Sequence, residues 1–287
     1  MISIQGLRKG FGKREVIQGL DLELEPGRRV ALIGSNGAGK TTLIRCLLGE
    51  YHFGGEIRVD GKCPRKQRCE VLRLVGFVPQ LPPPLKMPVG QLVRFVADVA
   101  GSDPARIVAV AHRLGLNIDQ NRHQPFVRLS GGQKQKLLIA AALGRDTSLL
   151  IMDEPAANLD PEARGVFFEL LAEKRDKEAV MLISSHRLDE VATLVNRVIE
   201  LDQGQVVLDD KVDDHVDLNS RLACRVRINR PEAAFARAVG QWGFTAAPDG
   251  LQWEGSVAGP DRLRFLGMLS RYAGLLAGLE MKDAGHG

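Results

Sequence analysis

The chain has 287 residues, a formal charge of +4, and 44% hydrophobic against 26% charged residues. At roughly 100–200 residues per domain that length holds one large domain, or one large and one small, and the apolar share excludes global disorder. The small positive balance contains no long Lys/Arg run, which argues against a nucleic-acid partner, and no stretch approaches the ~20 consecutive apolar residues that span a bilayer.

The opening Met1-Ile2-Ser3-Ile4-Gln5 lacks a basic n-region and a long apolar h-region, so no secretory signal is expected and the chain reads as cytoplasmic. Any membrane role then has to come through a partner. Expected strands cover 2–7, 16–24, 29–33, 56–59, 75–78, 149–152, 180–184 and 197–201. Expected helices cover 40–48, 132–144, 161–175 and 187–194. Short β-rich runs alternating with helices predict an α/β fold with a mainly parallel sheet, over residues 1–212. Between about 81 and 144 the strands disappear. That stretch opens with Leu81-Pro82-Pro83-Pro84-Leu85, too proline-rich for a helix or a central strand, and continues with helical patterns at 89–100 and 104–114. It predicts a helical subdomain inserted into the α/β body.

A polar stretch, Asp213-Asp214-His215, leads to a tail that holds both tryptophans, Trp242 and Trp253. Residues 220–287 are expected to form a small α+β accessory domain. Its pattern reads strand 222–228, helix 231–242, strands 244–247 and 251–257, helix 260–272 and strand 275–281, an order that suits a ferredoxin-like unit. Residues 284–287 read as a frayed terminus. Cys46, Cys63, Cys69 and Cys224 are expected to be reduced thiols. The spacing of Cys63 and Cys69 fits no strong zinc pattern, and metal binding there stays open.

The sharpest chemical signal is Gly34-Ser35-Asn36-Gly37-Ala38-Gly39-Lys40-Thr41, a phosphate-binding loop G-x-x-x-x-G-K-[ST] between a strand and a helix. Glycines let the backbone wrap close around phosphate, and the helix start adds about half a positive charge. ATP-binding residues are expected at Ser35, Asn36, Gly37, Ala38, Gly39, Lys40, Thr41 and Thr42. Lys40 reaches for the β- and γ-phosphates, and the Thr41 hydroxyl for magnesium. The apolar run Leu149-Leu150-Ile151-Met152 ends in Asp153-Glu154. In open parallel sheets ligands bind at the carboxyl ends of strands. Asp153 is therefore expected to serve magnesium, and Glu154 to act as the general base on water. Two more strand ends follow the same logic. Gln80 offers a carbonyl to magnesium or an amide to water, and His186 a donor to a γ-phosphate oxygen. Finally, Ser130-Gly131-Gly132-Gln133 opens a helix as a second anion trap, which one nucleotide does not need.

The phosphate loop, Gln80, Leu129-Ser130-Gly131-Gly132-Gln133, the run to Glu154, Asn158-Leu159-Asp160 and His186 resemble, in order, the motif set of ATP-binding cassette (ABC) proteins, over about residues 1–210. The resemblance implies a cassette that uses ATP and Mg²⁺ and pairs head to tail with a second copy of itself. Each ATP then lies between one copy's phosphate loop and the other's Ser130–Gln133 element, with Asp160 at the dimer seam. It also implies a membrane permease as partner, met by the loop after Gln80 unless that loop is a plain rigid connector. The expected location is the inner face of the cell membrane. Phe11 takes the place of an adenine-stacking aromatic, commonly Tyr, and Ala156 and Ala157 stand where the family usually has a hydroxyl residue and a Ser or Gly. One cassette with a small C-terminal domain resembles the ATPases of exporter-type permeases, although some importer ATPases also carry C-terminal domains.

Overall fold

The structure, a computed structural model, describes residues 1–174, 179–185, 191, 194–211, 221–258 and 261–283. The chain divides into two compact units, one of Met1–His186 with Arg197–Asp210, the other of Arg187–Asn196 with Lys211–Gly287.

The first unit begins with a three-stranded antiparallel sheet of order β2-β1-β4, where β1 is Ile2–Phe11, β2 Arg14–Leu24 and β4 Gly54–Val59. Alternation buries Ile2 and Ile4, then resumes out of phase at Leu7. The phase change is a bulge. Gly6 adopts φ 55°, its N–H donates to the Asp21 carboxylate at 2.6 Å, and the register slips between Ile4 and Leu7. The second sheet has six strands in the order β5-β6-β7-β3-β8-β9. These are β3 Arg29–Ile33, β5 Val75–Val78, β6 Leu149–Asp153, β7 Val180–Ser184, β8 Arg197–Asp202 and β9 Gln205–Lys211. β5, β6, β7, β3 and β8 run parallel. Every residue of β3, β6 and β7 is buried, as expected of near-continuous apolar strands covered on both faces.

Helix α1 (Lys40–Leu47) follows β3, and α2 (Arg68–Leu74) precedes β5. Residues 81–144 carry α3 (Val89–Ala100), α4 (Pro104–Arg113), α5 (Ile118–Asn121), a short 3-10 turn and α6 (Gly131–Leu143), with no strand. Helix α7 (Pro161–Ala172) follows β6. Its cap is Asp160, and Pro161 supplies the proline favoured at the first helical position.

The sequence pattern missed α2 and β9, and placed the ends of β1 and β2 short of the hairpin where Phe11 pairs with Arg14. The expected helix at 187–194 falls largely outside the described residues, as do Asp213-Asp214-His215 and 284–287.

The second unit holds β10 (Arg221–Ile228), α8 (Ala233–Gly240), β11 (Thr245–Ala246), β12 (Gln252–Ala258), α9 (Arg262–Ser270) and β13 (Leu276–Asp283). Its sheet has the order β11-β12-β10-β13, antiparallel throughout. Its core is aromatic. Phe244 stacks on Phe265 with centroids 4.9 Å apart, while Trp242 meets Phe265 and Trp253 meets Phe235 edge to face. Gly255 on β12 makes that stack possible, because a Cβ there would lie 2.4 Å from the Phe244 ring.

Candidate nucleotide site

Four adjacent strands, β5, β6, β7 and β3, bring their carboxyl ends to one edge of the sheet. After β3 the chain turns through Gly34 at φ 144°, where a Cβ would stand 2.2 Å from the Leu201 carbonyl oxygen. Only glycine fits a backbone so close to its neighbour. Gly39, in left-handed conformation, is the N-cap of α1 and offers no side chain to the first helical amides. Those amides therefore stay available to an anion.

Lys40 is almost fully buried, and its Nζ donates to the carbonyl oxygens of Gly34 at 2.6 Å and Ser35 at 3.1 Å. Burial lowers its pKa from the ordinary lysine value, and the charges of Glu154 and Asp153 partly counter that. The ammonium is thus folded onto the mouth of its own loop, where phosphate oxygens would be stronger acceptors.

Asp153 closes β6 and is 3% exposed. Its Oδ2 accepts from Thr41 Oγ1 at 2.9 Å, and its Oδ1 accepts from Ser184 Oγ at 2.5 Å. Glu154, next along the chain, adopts φ 49°, a left-handed conformation uncommon outside glycine. Its N–H donates to Ser184 at both the carbonyl oxygen (3.2 Å) and Oγ (3.0 Å). Gln80 Nε2 donates to Glu154 Oε2 at 3.0 Å. Of the two roles open to Gln80, the amide faces the carboxylate here.

Lys40, Thr41, Gln80 and Glu154 line a cleft of about 440 Å³ that also includes Phe11, Arg14, Asn36, Gly37, Gly39 and Thr42, and Asp153 is buried behind Thr41. Phe11 is 46% exposed, stands edge to face with Tyr51 at 5.2 Å, and carries the Lys9 ammonium 4.5 Å from its ring centre. Thr41 and Asp153 converge as two hard oxygen donors at the base of the phosphate loop. That set suits magnesium, which takes one or two protein oxygens and completes its shell with water and phosphate.

The Ser130–Gln133 element is absent from the lining of this cleft. It starts α6 with a reciprocal capping box. Gln133 N–H donates to Ser130 Oγ at 3.2 Å, and Ser130 N–H donates to Gln133 Oε1 at 3.0 Å. The adjoining loop is tied to the same helix. Gln135 Nε2 donates to the Pro155 carbonyl at 2.8 Å, and Lys136 pairs with Asp160 Oδ2 at 2.8 Å. Asp160 Oδ1 caps α7 through the Ala163 amide, and these partners hold its carboxyl below the usual carboxylate range. Ala38 is buried within the phosphate loop, with its N–H bonded to the Ser35 carbonyl.

His186 lies outside the described residues. Among the described residues no group of three or more His, Cys, Asp or Glu side chains is placed to hold a metal ion, which covers Cys63 and Cys69. All four cysteines are free, and burial pushes the Cys46 thiol up to about 11. Sequence reasoning passed over Ser184, Arg14 and Lys136. Ser184 ends β7, and only the pairing of β7 with β6 brings it beside Asp153.

A glycine loop and lysine on a parallel sheet, beside a magnesium-suited Thr–Asp pair and a carboxylate held by glutamine, define a phosphate-loop ATPase. The family model described as ABC transporter matches residues 17–157. The chain is 35% identical over 233 residues to the Nod factor export ATP-binding protein I of Cupriavidus metallidurans, covering 79% of this chain and 75% of that one. It is 34% identical over 214 residues to the aliphatic sulfonates import ATP-binding protein SsuB 1 of Nocardia farcinica, covering 74% and 82%. Among solved structures, an ATP-binding subunit of an ABC transporter superposes with a TM-score of 0.68 at 26% identity, covering 75% of this chain and 91% of the other. The chain belongs to the ABC transporter family as an ATP-binding subunit, and it is an ATPase of that type. Among the described residues no helix is long and apolar enough to cross a membrane.

Proposed function

We propose that this chain hydrolyses ATP as a head-to-tail dimer on the inner face of the cell membrane and so drives export through a separate permease. The carrying observation is the division of labour within one chain. The phosphate loop and Glu154 share a cleft, with Asp153 bonded to Thr41 behind it, and the Ser130–Gln133 helix start does not line that cleft. Two copies facing each other would complete both sites.

In this reading residues 1–212 are the cassette, with its helical subdomain at about 81–144, and 220–287 are a ferredoxin-like accessory domain. Backbone amides from Ser35 to Thr42 and the Lys40 ammonium grip the triphosphate. Thr41 and Asp153 would hold magnesium, which would supply positive charge to the phosphates. Glu154 takes the proton of the attacking water, with Gln80 orienting both. His186 donates to the γ-phosphate, a role that rests on sequence alone. Asp160 links the two sites across the seam.

Phe11 stacks on adenine. Base–aromatic stacking is worth about 1–3 kcal/mol, so Phe11→Ala should weaken ATP binding about 10-fold while Phe11→Tyr keeps it. Titration with a fluorescent ATP analogue reads this, and unchanged affinity in Phe11→Ala would remove the role.

The exposed apolar side chains Leu81, Phe95, Val99 and Val127 all fall within the helical subdomain and favour docking to an apolar permease surface. The direction rests on the single cassette with its small C-terminal domain, since exporter and importer relatives match almost equally. The tagged chain should co-purify from solubilised membranes with a multi-spanning protein, and Leu81→Glu should reduce that yield while sparing the ATPase activity of the isolated chain. Recovery without any multi-spanning partner would end the transport reading.

A further inference from the structure

We propose that Ser184 is the positioning residue for both acidic side chains of the ATPase site, an inference that rests on the roles given above to Asp153 and Glu154. Ser184 ends β7 and is fully buried. It pairs in register with Asp153 on one side and with Leu32, one residue before the end of β3, on the other. It therefore sits between the strand that delivers the carboxylates and the strand that delivers the phosphate loop. The next amide, from Ser185, donates to the Leu32 carbonyl at 3.2 Å and fixes this strand end in place.

A serine hydroxyl has one hydrogen to give and two lone pairs to accept with. At Ser184 the hydrogen goes to Asp153 Oδ1 and one lone pair takes the Glu154 N–H at 3.0 Å. The two bonds have different consequences. The first fixes one oxygen of Asp153, which leaves the other, Oδ2, aimed at Thr41 and hence at the magnesium position. Partners behind a metal's own ligands commonly change metal affinity 10–100-fold when removed. The second bond, with that to the Ser184 carbonyl, anchors the amide of a residue held at φ 49°. Such a conformation persists only where its surroundings over-determine it. It turns the Glu154 side chain to Gln80. A residue with no oxygen at this position would leave Asp153 Oδ1 buried without that donor and Glu154 with one anchor instead of two.

The test is ATP titration of the full chain, once with magnesium and once with a chelator, on the parent and on Ser184→Ala and Ser184→Thr, with turnover measured at saturating magnesium. In Ser184→Ala the gain in ATP affinity that magnesium confers should shrink about 10-fold, in line with loss of a partner behind a metal ligand. Metal-free affinity should stay within about 2-fold, because Lys40 and the loop amides are untouched. Turnover should fall even at saturating metal, and Ser184→Thr should restore both. A general loss of folding would instead lower metal-free binding. Should Ser184→Ala not fold, Ser184→Cys, a weaker donor of similar size, should show the same shift in smaller measure. Parent-like magnesium dependence in the variant that folds overturns the proposal. Asp153→Asn, run in parallel, separates the two levels. If it loses the magnesium effect while Ser184→Ala keeps it, the positioning role fails alone. If both keep it, the assignment of Asp153 fails first and takes this inference with it.

Discussion

Glu154→Gln is expected to lower ATP turnover by about 10²–10⁴-fold, the range a positioned general base contributes, while ATP binding is kept. Glutamine has nearly the shape of glutamate, and its side-chain oxygen can still accept from Gln80 Nε2, now at 3.0 Å from Glu154 Oε2. The backbone at 154 is held by Ser184 whatever the side chain. What disappears is the lone pair basic enough to take a proton from water. Lys40, Thr41 and Asp153, to which the proposal gives the triphosphate and its magnesium, stay as they are. ATP should therefore bind and remain, and a dimer closed on ATP should accumulate. Size-exclusion chromatography with ATP and magnesium would show the shift from monomer to dimer in the variant, and a phosphate-release assay would show the lost turnover. Parent-rate hydrolysis would mean that Glu154 is not the base.

Much of this site is legible from sequence because its chemistry is local. Gly34 to Thr41 is one contiguous loop, and the strand before it and helix after it announce themselves by an apolar run and by helical periodicity. Asp153 and Glu154 are legible for a related reason. An apolar strand that ends in acids has to bring them to the sheet edge where its parallel neighbours also end. Less legible were features that need the third dimension. Ser184 is one hydroxyl at the end of an apolar strand, and nothing in 180–184 says that its neighbour in the sheet will be Asp153. Lys136 reads as an ordinary helix-surface lysine until α7 places Asp160 within 2.8 Å of it. Helix α2 has seven residues, and Val71, Leu72 and Leu74 lie too close together in two turns to show a helical period. Strand β9 was lost for a similar reason, since Asp209, Asp210 and Lys211 make a polar edge. One of those acids is used. Asp209 accepts twice from the buried Arg197 at 2.7 Å, a charge pair between neighbouring strands that apolar periodicity cannot reveal.

Ser130→Arg should abolish hydrolysis by about 10²-fold or more, the scale of removing a donor to transition-state charge, and leave ATP affinity in the chain's own cleft unchanged. The substitution removes a cap, which costs about 1 kcal/mol of helix stability, and the buried Gln135 bond to Pro155 still anchors α6. The protein should fold, as circular dichroism would report. The decisive form of the test mixes two inactive proteins. Ser130→Arg keeps its own phosphate loop and Glu154; Glu154→Gln keeps its own Ser130. In a mixed head-to-tail pair, the loop and base of the first chain meet the intact helix start of the second, and one whole site is rebuilt. Both clefts still bind ATP, so the pair can close. Hydrolysis should therefore return on mixing, in proportion to the mixed dimers formed. Were Ser130 instead to serve the cleft of its own chain, each protein would keep its own defect and mixing would restore nothing. Recovery thus depends on geometry between chains and on no property of either chain alone.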